Sequence, residues 1–123
     1  MKLRILRDSI RLRLTQGEVA RLGAGESIVE TTPLGEGAGF EYALMPGKTN
    51  AIAASMGDHR LTVTAPANAL ADWAASDAVG VVCPMDTSGP SILIEKDFAC
   101  LSPRDGEDDV DTYPHPKSGT STC

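Results

Sequence analysis

Apolar and charged residues alternate strictly through Ile10-Arg11-Leu12-Arg13-Leu14. A side-chain period of two puts the apolar residues on one face and the arginines on the other, so the segment reads as a half-buried strand. Lys2 to Leu6 is also strand-like, and Arg7-Asp8-Ser9 between them reads as a hairpin turn or, alternatively, as the bend at Asp8 of one long strand. The period then changes. Thr15-Gln16-Gly17-Glu18 has the spacing of a capping box, and Val19 and Leu22 form the apolar stripe of a short helix that Gly23 or Gly25 ends. Ile28 to Thr32 and Phe40 to Leu44 read as a strand pair connected through Gly35, Gly37 and Gly39.

After a link at Pro46-Gly47-Lys48-Thr49-Asn50 the same order recurs. Ala51 to Met56 and Arg60 to Thr64 read as strands around a Gly57-Asp58 turn. Pro66 to Ala75 reads as a helix with Leu70 and Trp73 on one face, and Val79 to Val82 and Ile92 to Phe98 read as the last strands. The pattern predicts an α+β domain, mostly antiparallel and barrel-like, with two pseudo-symmetric β-β-α-β-β halves at about 2–45 and 51–98. Leu12 is matched with Leu61, Leu14 with Val63, Ile28 with Val79 and Pro33 with Pro84. The domain is expected to span residues 1–116, with an acidic segment at 99–116 and a disordered tail at 117–123.

Composition adjusts this picture in three ways. With 123 residues and 41% hydrophobic content the chain can bury a core, and 4% aromatic content makes that core aliphatic. A net charge of −6 argues against nucleic acid or an anionic membrane as a general partner. No long apolar run opens the chain, so neither a signal peptide nor a membrane span is expected. Three cysteines without close metal spacing fit reduced thiols and a cytoplasmic location.

The charge is polarised along the chain. Lys2, Arg4, Arg7, Arg11, Arg13 and Arg21 crowd the beginning, whereas Glu95, Asp97, Asp105, Glu107, Asp108, Asp109 and Asp111 crowd the end. Arg4, Arg11 and Arg13 are candidates to grip a phosphate or carboxylate ligand; the competing reading is the solvated face of a half-buried sheet. Cys100, Glu107, Asp108, Asp109, Asp111 and His115 are candidate metal ligands, the oxygens for Ca²⁺ or Mg²⁺ and the Cys–His pair for Zn²⁺. The competing reading there is a surface segment that pairs with the arginines and anchors through Tyr113.

Other motifs carry less. Gly47-Lys48-Thr49 lacks the upstream glycine of a phosphate loop, since position 42 is Tyr42, and no helix pattern follows. His59 lies in a turn, no serine sits in a nucleophile elbow, and Cys83 reads as a small buried side chain. Cys100 has no surrounding motif that lowers a thiol pKa, and Trp73 reads as a core anchor. Glu95 and Asp97 share a face, as a carboxylate pair would; the competing reading is that they are simply solvated on an edge strand.

The segment Ile10 to Val19, the run Glu95-Lys96-Asp97-Phe98-Ala99-Cys100-Leu101, Glu107-Asp108, Asp111 and Tyr113-Pro114-His115-Pro116 resemble a family of small bacterial proteins of unknown function. The resemblance covers residues 2–116 and implies that the acidic stretch belongs to the domain. It brings no activity or cofactor. The expected function is therefore a non-catalytic binding or accessory module for a small anionic ligand or a protein partner. The alternatives are a divalent-metal protein or metal-dependent enzyme, and an interaction module acting through a sheet edge.

Overall fold

The computed structural model describes residues 1–37, 39–98 and Tyr113. Strands β1 (Lys2–Leu6) and β2 (Ser9–Leu14) form the first hairpin and lead into α1 (Gln16–Gly23). Strands β3 (Ile28–Pro33) and β4 (Gly39–Gly47) follow. The second hairpin, β5 (Ala53–Gly57) and β6 (Arg60–Pro66), leads into α2 (Ala67–Ala74), and β7 (Ser91–Lys96) comes last.

Local chemistry explains why these residues form these elements. In β2 and β6 every second side chain is buried, so each strand turns one face inward. Both hairpins close over two residues, and left-handed conformations at Arg7 (φ 52°), Asp58 (φ 52°) and His59 (φ 62°) match the twist of the flanking strands. Helix α1 is capped as expected. The Thr15 hydroxyl accepts from the Glu18 amide at 3.4 Å, and the Glu18 carboxylate accepts from the Thr15 amide at 3.0 Å. Helix α2 begins at Pro66 without a side-chain cap and is held by the burial of Leu70 and Trp73.

The strands form two sheets, in the orders β1-β2-β7 and β3-β4-β6-β5, and no closed barrel is present among the described residues. Three ladders are antiparallel, but β2 runs parallel to β7 and β4 parallel to β6. The halves are thus interlocked: each hairpin is completed by a strand from the other half of the chain. The inner faces of both sheets and the inner sides of both helices share one apolar cluster, which includes Leu12, Leu14, Leu44, Val63, Leu70 and Ile94.

The two hairpin–helix units have the same register at a displacement of 51 residues. Leu6 faces Ser9 across the first turn, and Gly57 faces Arg60 across the second. This corrects the expected pairing. Leu12 corresponds in position to Val63 and Leu14 to Ala65, not to Leu61 and Val63, because the second turn lies two residues later than a simple match of the apolar runs suggests. The segment at 79–82 is also not a regular strand. Only Gly80 bridges to Glu95, with amide bonds from Val81 to the Ile94 carbonyl and from Lys96 to the Val79 carbonyl.

Two glycines mark close approaches. A Cβ on Gly23 would lie 2.6 Å from the Ala74 Cβ, and one on Gly47 would lie 2.6 Å from the Thr64 Cγ2. Gly47 therefore serves the tight β4–β6 contact. The next element after it is β5, not a helix.

Candidate functional site

The outer face of the three-stranded sheet collects most of the early cations. The register arranges the outward side chains of β1, β2 and β7 in three cross-strand rows: Leu6–Ser9–Ser91, Arg4–Arg11–Leu93 and Lys2–Arg13–Glu95. Neighbouring strands lie about 4.8 Å apart and successive rows about 6.7 Å apart. Arg4 is thus directly opposite Arg11, and Lys2 directly opposite Arg13. Like charges in such positions repel.

Two of the four cations are compensated from β7 and its continuation. The Arg11 guanidinium donates to the Glu95 carboxylate through Nε and Nη2, and the Lys2 ammonium lies 3.0 Å from the Asp97 carboxylate. The acids are buried, Asp97 to 3% exposure, while the bases above them stay accessible. Glu95 and Asp97 are therefore not the solvated edge carboxylates that alternation suggested; the parallel β2–β7 pairing brings them beneath the basic residues. The Arg4 and Arg13 side chains make no hydrogen bond or ion pair to another described residue. Of the three arginines that the sequence singles out, Arg4 and Arg11 line a cleft of about 290 Å³ with Leu6, Ser9, Ser91 and Leu93, and Arg13 lies one row away.

Other candidates are placed differently. A larger cleft of about 470 Å³ lies beside α2, but Asp72 is the one charged residue among its described lining residues. Cys83 borders that cleft and is half-buried, with its thiol 4.0 Å from the Asn50 carbonyl. Trp73 is a core residue whose Nε1 donates to the Val79 carbonyl at 3.1 Å. His59 occupies the β5–β6 turn. Cys100, Glu107, Asp108, Asp109, Asp111 and His115 lie outside the described residues. Among the described residues no group of three or more His, Cys, Asp or Glu side chains is placed to hold a metal ion. No described helix is long and apolar enough to cross a membrane.

Two further charged clusters escaped the sequence reading. Lys96 is almost fully buried, donates to the Ser76 carbonyl at 2.5 Å and lies 6.0 Å and 5.4 Å from the Trp73 and Tyr113 ring centres. Tyr113 returns to the sheet here: its amide donates to the Asp97 carbonyl at 2.8 Å and its ring packs on Phe98. In the second cluster, the Met1 ammonium contacts Glu18 at 2.5 Å and Glu30 at 3.2 Å, and the Tyr42 hydroxyl donates to the Met1 carbonyl at 2.8 Å. Burial, then the charges of Glu30 and Glu18, raise the Tyr42 pKa above its ordinary value. The one sequence signal for these clusters is a charged residue interrupting an apolar run, as Lys96 does after Ile92 and Ile94.

Comparison with curated proteins and with solved structures yields no match to this chain. One family does match, over residues 1–117, a span that contains both the basic hairpin and Tyr113. The chain accordingly belongs to the family described as a family of unknown function, DUF7009.

Proposed function

We propose that the outer face of the β1-β2-β7 sheet binds a small anionic ligand, and that the protein acts as a binding module through this face. One observation carries the reading. Two like-charged pairs, Arg4 with Arg11 and Lys2 with Arg13, stand directly opposite each other on adjacent strands. Each such pair costs a few tenths of a kcal/mol to about 1 kcal/mol unless an anion lies between its members. Glu95 and Asp97 answer Arg11 and Lys2, which leaves Arg4 and Arg13 without a counter-charge among the described residues. The face therefore carries a positive excess on a chain whose total charge is −6. A guanidinium offers a carboxylate or phosphate two parallel donors, so the residue type suits the ligand class.

The test is thermal unfolding at constant ionic strength with increasing inorganic phosphate or citrate, chloride serving as the control. A ligand that binds only the folded state stabilises it by about 2.7 kcal/mol at a hundred times its Kd. The wild-type melting temperature should rise with the anion. The doubly substituted Arg4→Gln, Arg13→Gln protein should lose that rise, and its melting temperature in chloride should be no lower than that of wild type, because both like-charged pairs are gone. An equal rise in both proteins would place the anion elsewhere and end the proposal.

A further inference from the structure

The cleft at Arg4 is not uniformly basic. Leu6 and Leu93 stand on the same outward face, 50% and 46% exposed, at diagonal corners of the rows Leu6–Ser9–Ser91 and Arg4–Arg11–Leu93. The solvated side of a half-buried sheet ordinarily carries polar side chains there. An inorganic anion would satisfy the guanidinium and leave both leucines in water. The cleft also lies at the lower end of the size range of small-molecule sites, at about 290 Å³, which matches a small organic ion better than a nucleotide or a polymer.

Resting on the reading of this face as an anion site, we infer that its ligand is amphiphilic: a carboxylate joined to a short aliphatic chain. The carboxylate meets Arg4, whose fork is uncommitted among the described residues, at the boundary with the Lys2–Arg13–Glu95 row. Arg11 is held by Glu95 and contributes charge and a rigid wall. The aliphatic chain runs towards the hairpin turn, over Ser9 and between Leu6 and Leu93. Ser9 suits a dry neighbour, since its hydroxyl donates to the Leu6 carbonyl at 2.8 Å and does not need water as an acceptor. Charge complementarity fixes one end of the ligand and apolar contact the other.

The experiment is calorimetric titration of the whole chain with acetate, hexanoate and octanoate at constant ionic strength, with hexanol as the uncharged control. Burying aliphatic carbon should tighten binding about two- to four-fold for each added methylene. Leu93→Ser should flatten that series and leave acetate binding as it was. Arg4→Gln should weaken every carboxylate about ten-fold or more, the worth of a charge-assisted hydrogen bond. Both positions are exposed, so circular dichroism of the unliganded variants should match wild type; if Leu93→Ser fails to fold, Leu6→Ser makes the same test. Carboxylates and phosphate binding equally well regardless of chain length would overturn the amphiphile and leave the anion face standing. Binding of no anion at all would overturn both. A chain-length series unchanged in the leucine variant, or hexanol binding as tightly as hexanoate, would overturn the placement described here.

Discussion

Replacing Gly23 by alanine probes the point where the two halves meet. Positions 23 and 74 are related by the same displacement of 51 residues that relates the hairpins, and they touch each other. Helices α1 and α2 therefore cross at equivalent points, with room for one methyl group and not two. An added Cβ would stand 2.6 Å from the Ala74 Cβ. Ordinary carbon–carbon contact is about 3.5–4.0 Å, so the helices must part by about 1 Å. Alanine at an unconstrained helix position stabilises by about 0.8–1.0 kcal/mol over glycine. Overpacking of this kind costs about 1–3 kcal/mol. The balance is a Gly23→Ala protein that is no more stable than wild type and up to about 2 kcal/mol less stable.

The assay is urea unfolding followed by the fluorescence of Trp73, the one tryptophan, which is buried beside the crossing. Ala74→Gly supplies the second corner of a double-mutant cycle, because it removes the methyl that Gly23→Ala meets. The clash predicts that the two changes together are better tolerated than their sum by about 1 kcal/mol or more. A Gly23→Ala protein stabilised by about 1 kcal/mol, with changes that simply add, would mean that the helices do not touch there.

Two further outcomes follow from named contacts. Thr15→Ala removes the cap of α1 and should lower stability by about 0.5–2 kcal/mol in the same urea assay; a loss below the error of the measurement would show that the Thr15–Glu18 pairing contributes nothing. Tyr42 has a pKa raised above 10.0 by burial and by Glu30 and Glu18, so the stabilisation tied to its neutral form is complete below pH about 10 and is lost as pH rises through the folded value. Tyr42→Phe should be less stable at neutral pH by about 0.5–1.5 kcal/mol for the lost bond to the Met1 carbonyl, and should fall less steeply than wild type in alkali. Parallel alkaline declines in the two proteins would remove Tyr42 as their cause.

Much of this protein is local and so was legible in the residues themselves. Alternation in Ile10 to Leu14 decided a strand and its buried face, because a period of two leaves no choice once one side must leave water. Thr15 and Glu18 decided where α1 begins, since the cap is made within one turn. The basic character of the outer face was equally visible in Arg4, Arg11 and Arg13. The rest depended on which distant segments lie side by side. Nothing within β2 names β7 as its parallel neighbour, yet that pairing buries Glu95 and Asp97 under Arg11 and Lys2 and sets Leu93 next to Arg11. The crossing of Gly23 on Ala74 and the placement of Lys96 against Trp73 are decided in the same way. Period and capping act over a few residues, whereas strand partners are selected by the joint burial of apolar faces far apart in the chain, and only the closed tertiary structure reports that choice.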